Sequence, residues 1–353
     1  MTISIKKEGD LLNEDVDAII NTVNCVGVMG KGIALQFKNK WPDNYKFYKK
    51  ACKEGKVKVG ESLIYDLGGL FSKPRYIVNF PTKNHWREKS KISYIDNGLQ
   101  NLINFIKIAG IKSIAIPPLG CGNGGLKWSE VKPIIEKYFE EVPDVKVNLF
   151  EPHTAPKAEN LVINTEKPNL TIGRAVLIKI LSIYREMEYS LSKLEIQKLS
   201  YFGQVLGSLE RLRFRKNKFG PYADNLRHVL NEMNGHYISG LGDHDTSDAS
   251  IFLVEGAESE ADKYIENNIE IKLKLERLAN LISGFESPYG MELLATVHWA
   301  SGESQSKDLE KIVYTVHNWS KENPEWNKRK KELMSASHIE VAYKRLESLQ
   351  LLN

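Results

Sequence analysis

Residues 21–34 read Asn21-Thr22-Val23-Asn24-Cys25-Val26-Gly27-Val28-Met29-Gly30-Lys31-Gly32-Ile33-Ala34. The run before them, residues 17–20, is short and β-favouring, which predicts a buried parallel strand. After the glycines, apolar residues at helical spacing predict a helix that ends at Trp41-Pro42. A strand, a glycine-rich loop and a helix N-terminus present backbone N–H groups and the positive end of a helix dipole to an anion. This order therefore predicts a phosphate-binding loop.

A second glycine-rich loop, residues 117–125, reads Pro117-Pro118-Leu119-Gly120-Cys121-Gly122-Asn123-Gly124-Gly125. It follows a predicted strand at 113–116 and precedes a helix that we expect Ser129 to cap. Two such loops at the carboxyl ends of parallel strands can hold the two phosphates of one pyrophosphate. The pair of loops, with Asn21 and Asn24 at the first strand tip, predicts a binding cleft between them.

The order of elements predicts two domains. Strands predicted near residues 3–5, 17–20, 62–66, 75–80, 113–116 and 145–150 alternate with helices, one of which covers 92–106 and ends at Gly110. This indicates an α/β three-layer domain, with a mixed sheet between helices, over residues 1–152. Residues 153–166 are predicted to be a linker, because they lack periodicity. Helical patterns at 176–184, 194–202, 226–233, 269–281 and 337–351 predict a mostly α-helical domain over 167–353.

The amino-acid composition limits the classes of protein to which the chain can belong. The chain has 353 residues, of which 42% are hydrophobic, and a net charge of +4 that comes from a basic first half. No apolar run is long enough to span a bilayer, and the N-terminus has no signal-peptide core, so we expect a cytoplasmic protein with no membrane partner. Cys25, Cys52 and Cys121 are odd in number and lack zinc-ligand spacing, which predicts reduced thiols and no metal site.

At four motifs the first half resembles the ADP-ribose-binding macrodomains. These motifs are Gly9-Asp10-Leu11-Leu12, Ala18-Ile19-Ile20-Asn21-Thr22-Val23-Asn24, Gly30-Lys31-Gly32-Ile33-Ala34 and Gly120-Cys121-Gly122-Asn123-Gly124-Gly125-Leu126. Phe80-Pro81-Thr82-Lys83-Asn84-His85-Trp86 resembles the branch that contains the DarG antitoxins, which are DNA ADP-ribosyl glycohydrolases paired with DarT toxins. In the second half, residues 191–202 and 218–222 resemble the Panacea-type domains shared by several antitoxins. The segments 298–300 and 317–320 look like the C-terminal half of DarG proteins.

The resemblance implies a set of substrate-binding residues. They are Asp10, Leu11, Asn21, Asn24, Val28, Met29, Gly30, Lys31, Gly32, Ile33, Thr82, Pro118, Leu119, Gly120, Cys121, Gly122, Asn123, Gly124, Gly125 and Leu126. Asp10 occupies the position that accepts a hydrogen bond from the adenine amino group, or else it closes an Asx-type turn. The amides of Asn21 and Asn24 either bind ribose hydroxyls or stitch their own loop together.

Lys83, with Asn24, is the catalytic candidate that the resemblance implies. A lysine amine with a pKa lowered by burial can attack an anomeric carbon, and a protonated one can instead stabilise the departing base. Without the resemblance, Lys83 reads as a surface lysine after a strand. The second loop carries no carboxylate, although a protein-directed relative of this branch has one there, and this favours a nucleobase-linked substrate. His85 and Trp86 offer surfaces on which a DNA base can stack.

These observations predict an antitoxin that removes ADP-ribose from a base in single-stranded DNA and silences a DarT-like toxin. Its partners would be the toxin, ADP-ribosylated single-stranded DNA and the product ADP-ribose, and no cofactor is expected. The enzyme alternative is a hydrolase of ADP-ribosylated protein or of ADP-ribose 1″-phosphate. A third class is a non-catalytic ADP-ribose reader. The range 243–266 is rich in acidic residues. It is either a solvated surface or an acidic face that binds in the positively charged DNA groove of the toxin.

Overall fold

The structure, a computed structural model, describes residues 2–69, 72–152, 162–185, 191–241 and 251–352. The chain divides into two compact units, Met1–Glu166 and Lys167–Asn353. Most of the predicted linker, residues 153–161, lies outside the described residues. Its end belongs to the first unit, because Asn164 donates its backbone N–H to the carbonyl of Asn39, 2.8 Å away.

A six-stranded mixed sheet forms the middle of the first unit. Its order is β1-β6-β5-β2-β4-β3, and every neighbouring pair is parallel except β3 and β4. The strands are β1 (Thr2–Lys6), β2 (Ala18–Asn24), β3 (Leu63–Asp66), β4 (Tyr76–Lys83), β5 (Ser113–Ile116) and β6 (Lys146–Phe150). The helices are α1 (Gly32–Lys40), α2 (Pro42–Lys53), α3 (Ile92–Ala109) and α4 (Trp128–Phe139), with a short 3-10 helix at Leu11–Asn13.

Alternate side chains of β2 enter two separate cores. Ala18 and Ile20 pack among apolar residues of α3 and α4, whereas Ile19 packs with Phe37 of α1 on the other face of the sheet. Nearer the end of β2, Val23 packs with Tyr48 of α2. Because successive side chains of a strand point to opposite faces of the sheet, helices cover both of its faces. The predicted three-layer α/β fold is confirmed.

Two local predictions in this unit were wrong. Strand β4 continues through Pro81 to Lys83, beyond the predicted end at residue 80. Proline is tolerated there because β3 pairs with β4 only as far as Asn79, so the missing N–H falls on an unpaired edge. Ser129 does not cap α4: the helix begins at Trp128, which packs against the core, and Lys127 is the residue before it.

The second unit is mostly helical, as predicted. Its helices are α5 (Ile172–Arg185), α6 (Lys193–Val205), α7 (Asp224–Met233), α8 (Ala257–Tyr264), α9 (Ile269–Ile282), α10 (Pro288–Ser304), α11 (Leu309–His317), α12 (Pro324–Leu333) and α13 (Ala336–Ser348). Two small antiparallel pairs accompany them, β7 (Phe214–Asn217) with β8 (Gly220–Ala223) and β9 (Ile238–Ser239) with β10 (Phe252–Leu253). Among the described residues, no helix combines the length and apolar character needed to cross a bilayer.

An ionic cluster lies inside the second unit. Glu292 receives two hydrogen bonds from Arg329 and one from Lys330, whose side chain is fully buried. Burial alone would raise the pKa of Glu292, but the two cations hold it below its ordinary value. Burial lowers the pKa of Lys330 to about 8. His298 is also buried and hydrogen-bonds to Tyr201, so it is a packing residue of this unit.

Candidate functional site

The two glycine-rich loops emerge from the same edge of the sheet. Loop 1, residues 25–31, follows β2, and loop 2, residues 117–126, follows β5, which is the parallel neighbour of β2. On the other side of β2 lies β4, and its last residue, Lys83, is the register partner of Asn24. The parallel register therefore brings the two predicted catalytic residues to adjacent strand tips, at the end of the sheet from which both loops emerge.

Loop 1 is held in shape by Asn24. Its side-chain N–H donates to the carbonyl of Val28 at 2.6 Å, and its side-chain oxygen accepts from the backbone N–H of Val26 at 3.0 Å. The hydroxyl of buried Tyr48 donates to the backbone carbonyl of Asn24 at 2.6 Å. Asn24 is thus the internal brace of the loop, which matches the stitching alternative for this residue.

Loop 2 is a tight turn in which a side chain is disfavoured at Gly120, Gly124 and Gly125, the last of which has a φ of +78°. A Cβ at Gly124 would lie 2.3 Å from the carbonyl oxygen of Gly120 and 2.2 Å from the hydroxyl of Ser90. Gly120 has a φ of +69°, a left-handed conformation that side chains disfavour. A Cβ at Gly122, in contrast, would meet no atom within 4 Å. The loop is closely packed at its base and open at Gly122.

The loops approach each other across the cleft. A Cβ at Gly32, the first residue of α1, would lie 3.5 Å from the side-chain nitrogen of Asn123 in loop 2. Residues 84–91, called the rim here, join the loops on a third side. The carbonyl of Asn84 accepts from the backbone N–H of Cys25 at 2.9 Å, and the N–H of Ser90 donates to the carbonyl of Gly124 at 3.0 Å.

Lys83 lies where loop 2 and the rim meet. Its ammonium group donates to the carbonyl of Asn123 at 2.9 Å and to that of Glu88 at 3.3 Å, and the residue is 8% exposed. Burial, with a further contribution from the charge of Lys89, lowers the pKa of Lys83 from its ordinary value. The described bonding partners of this amine are carbonyls, and no carboxylate within the described residues forms an ion pair with it. Lys83 is therefore not an ordinary surface lysine.

Two other predicted binding residues, Asn21 and Asp10, form hydrogen bonds within the protein. Asn21 is fully buried beneath loop 1, where its side-chain N–H donates to the Asn79 oxygen at 2.9 Å, so the structure does not present it to the cleft. Asp10 closes an Asx turn: its carboxylate accepts from the N–H of Leu12 at 2.9 Å and from the side chain of Asn13 at 2.8 Å. The turn alternative for Asp10 therefore has direct geometric support, and Leu11 beside it is buried in the core.

The remaining predicted binding residues differ in their exposure. Exposed positions are Val28, Lys31, Gly122, Asn123 and Gly125; partly exposed ones are Gly30, Gly32, Ile33, Pro118, Cys121 and Leu126. Met29, Thr82, Leu119, Gly120 and Gly124 are buried and serve as supports. Sequence reasoning missed Tyr48 and Ser90, because neither lies in a recognisable motif and both reach the loops only through tertiary packing. It also missed Lys89, which extends over Gly125 of loop 2.

The cysteines of the loops are unsuited to ionised chemistry. Burial raises the pKa of Cys25 to about 11, with a further contribution from Cys52, and burial alone raises the pKa of Cys121 to about 11. Both are free thiols. In the described ranges, His, Cys, Asp and Glu side chains form no group of three that could hold a metal ion. Lys83 therefore remains the catalytic candidate of the cleft, and its amine lies among backbone carbonyls of loop 2 and the rim.

Comparison with known proteins agrees with this geometry. The Macro domain family model matches residues 20–135. A DNA ADP-ribosyl glycohydrolase of Thermus aquaticus is 44% identical over 334 residues, which cover 95% of this chain and 90% of that protein. A DNA ADP-ribosyl transferase–DNA ADP-ribosyl glycohydrolase fusion protein of Thermosipho africanus is 35% identical over 160 residues, 41% of each chain.

Among solved structures, the macrodomain of Mycobacterium tuberculosis DarG is 51% identical with a TM-score of 0.41, and the match covers 42% of this chain and 98% of that one. The Thermus aquaticus relative matches through both units of the chain, not through the macrodomain alone. With a macrodomain cleft in its first unit and this similarity along nearly its whole length, the chain belongs to the DarG family of DNA ADP-ribosyl glycohydrolases.

Proposed function

We propose that this chain removes ADP-ribose from a modified base in single-stranded DNA and that its second unit neutralises a DarT-like toxin. The observation that carries the hydrolase proposal is the Lys83 amine, which is buried, has a lowered pKa and hydrogen-bonds to loop 2 from the strand tip that is paired with Asn24. A protein that only reads ADP-ribose has no need for such a group at that point.

The geometry supports a division of labour in the cleft. Backbone N–H groups of the two loops and the N-terminus of α1 suit the pyrophosphate of ADP-ribose. The distal ribose would then reach the strand tips where Asn24 and Lys83 are paired. Asn24 would act as a positioning residue, since its amide holds loop 1 in shape.

The reaction breaks the bond between the anomeric carbon and the base nitrogen. In one route the neutral amine of Lys83 attacks that carbon, the base leaves with a proton, and water then displaces the amine. In the other route, protonated Lys83 stabilises the departing base while water attacks directly. Both routes give ADP-ribose and restored DNA, and neither needs a metal ion or a cofactor.

The residues of loop 2 support a base as the leaving group. Between Gly120 and Leu126 the chain carries no carboxylate, and the loop position nearest to Lys83 is the carbonyl of Asn123. The Thermus aquaticus relative, which is similar over nearly the whole chain, is named for activity on DNA. These observations favour DNA over ADP-ribosylated protein as the substrate.

A substrate comparison tests this choice. The full chain should release ADP-ribose from an ADP-ribosylated single-stranded oligonucleotide at least about a hundredfold faster than from an ADP-ribosylated glutamate peptide, a ratio within the range that differential transition-state binding supplies. Release can be followed by chromatography. Equal rates on both substrates would contradict the proposal, as would a preference for the peptide.

The toxin proposal has support from one relative and from one surface. The Thermosipho africanus relative is named as a fusion of a DNA ADP-ribosyl transferase and a DNA ADP-ribosyl glycohydrolase in one chain. In the acidic range 243–266, residues 243–250 lie outside the described residues. Of the described carboxylates, Glu258 and Asp262 bind Lys179, and Glu260 binds Lys167.

Two exposed carboxylates of this range, Glu255 and Glu266, form no ion pair within the described part of the chain. They are therefore available to a basic partner. We expect Glu255→Lys combined with Glu266→Lys to weaken binding of the cognate toxin about tenfold and to reduce its salt dependence. The matched control is Glu322→Lys with Glu325→Lys, an equal charge change on α12 and the loop before it. If calorimetry gives the same toxin affinity for the Glu255/Glu266 double variant as for the control double variant, the acidic surface is not part of the interface.

A further inference from the structure

The rim, residues 84–91, presents an aromatic and basic surface directly beside Lys83. Trp86 is 46% exposed. The ring of His85 lies 5.3 Å from that of Trp86 at 32°, and the guanidinium of Arg87 lies 4.5 Å from the Trp86 ring. An exposed indole close to an imidazole and a guanidinium is the kind of platform on which nucleic-acid bases stack.

The rim is a fixed part of the cleft, because it is anchored at both ends and in the middle. Asn84 is bonded to loop 1 and Ser90 to loop 2, as described above. Between these anchors, the carbonyl of Glu88 accepts from the Lys83 ammonium group at 3.3 Å. The rim therefore lies directly beside the Lys83 amine, within reach of nucleotides that flank a base bound there.

The charge of the rim fits a polyanion. Arg87, Lys89 and Lys91 are exposed, against the single carboxylate of Glu88. Lys89 lies over Gly125 of loop 2, and Lys91 lies 5.4 Å from the ring of Tyr94. An exposed indole and several cationic side chains within one short segment match the alternation of bases and phosphates along a single strand.

We propose that the rim is the subsite for the nucleotides that flank the modified base, with Trp86 stacking on a neighbouring base and Arg87 binding a phosphate. The inference rests on the proposed function and deepens it: the rim would make the enzyme prefer a base within a strand to the same base in a mononucleotide. When a base stacks on the Trp86 ring, it can displace the guanidinium of Arg87, which is then free to bind a phosphate.

The experiment compares kcat/KM for an ADP-ribosylated oligonucleotide with that for the corresponding ADP-ribosylated mononucleotide, using the full chain. In the wild type the oligonucleotide should be favoured. Trp86→Ala should lose about tenfold on the oligonucleotide and stay within twofold on the mononucleotide, because one stacking contact disappears. Trp86→Phe should retain most of the preference. Arg87→Ala should weaken the salt dependence of oligonucleotide binding: the slope of log affinity against log salt concentration should fall by about 1, the value for one lost phosphate contact.

The control is Phe47→Ala, since Phe47 is 39% exposed, contacts Tyr65 and belongs to α2 beside the far edge strand β3. Affinity for ADP-ribose, measured by calorimetry, should be unchanged in all variants, which shows that they are folded. Equal kcat/KM of wild type and Trp86→Ala on the oligonucleotide would overturn the rim proposal while leaving the hydrolase proposal intact. A wild type that cleaves neither substrate would instead overturn the proposed function.

Discussion

Gly122 offers a direct test of the phosphate-binding role of loop 2. The position is exposed, and a Cβ there would meet no atom within 4 Å. A larger side chain can therefore be introduced without disturbing the fold. Gly122→Glu adds a carboxylate at the mouth of the cleft, and Gly122→Gln adds nearly the same volume without the charge.

The expected loss of affinity follows from electrostatics. A carboxylate on this side chain can come to about 5 Å from a bound phosphate, where two unit charges repel by roughly 3 kcal/mol at an effective dielectric constant near 20. Because the position is exposed and the solution contains salt, we expect about 2 kcal/mol to remain. This corresponds to a loss of about thirtyfold in affinity for ADP-ribose.

Titration calorimetry of the full chain with ADP-ribose measures the effect. Gly122→Glu should bind about thirtyfold more weakly than wild type, Gly122→Gln should stay within about threefold, and the difference should shrink at high salt. Wild-type affinity in Gly122→Glu would refute the assignment of loop 2 to the pyrophosphate. An equal loss in both variants would show that bulk, and not charge, is responsible.

Three further predictions concern packing, protonation and the second unit. Gly124→Ala should lower ADP-ribose affinity and the melting temperature together, at a cost of about 1–3 kcal/mol, because its Cβ would collide with the loop carbonyl 2.3 Å away; Gly122→Ala is the neutral control. If neutral Lys83 is the nucleophile, kcat/KM should rise with pH through its lowered pKa and then level off; if its protonated form acts, kcat/KM should fall over the same range. Glu292→Ala should destabilise the second unit to urea by about 3–5 kcal/mol, since it leaves a buried lysine without its carboxylate, whereas exposed Glu340→Ala should change stability by less than about 1 kcal/mol.

The sequence predicted the loops well, because their signals are local. Glycines directly after apolar runs marked both turns, and Trp41-Pro42 marked the end of α1, where the structure places it. Gly110 likewise ends α3 in the left-handed conformation that favours glycine. Such features depend on a few neighbouring residues, so one sequence is enough to predict them.

The contacts that give the cleft its chemistry are not local. The meeting of Lys83 with Asn24 depends on the parallel register of β2 and β4, and a shift in that register occurs at Val23 and Asn24 themselves. The same pairing turns Asn21 away from the cleft and towards Asn79, which no periodicity in the sequence indicates. The family resemblance identified Lys83, but only the fold shows which carbonyls hold its amine.

Several helices escaped prediction for a physical reason. Helix α10 is buried along most of its length on all sides, so it has no amphipathic stripe that a period of 3.6 residues would reveal. Helix α2 is rich in charged residues and buries only Asn44, Tyr48 and Ala51. In α10 the tertiary surroundings determine which residues become buried, whereas in α2 the buried residues do fall at helical spacing, but one of the three is polar and leaves too weak an apolar pattern to predict the helix.

The central claim is that Lys83 acts in glycosidic bond cleavage, and single-turnover release of ADP-ribose from an ADP-ribosylated single-stranded oligonucleotide by Lys83→Ala tests it most directly. We expect a loss of at least about a hundredfold in rate, the usual scale for an acid–base or nucleophilic group, with ADP-ribose affinity within a few-fold of wild type. Lys83→Arg, which stays charged but cannot form a covalent adduct, should recover part of the rate only if the amine acts by stabilising the departing base. Release by Lys83→Ala at the wild-type rate would contradict the account.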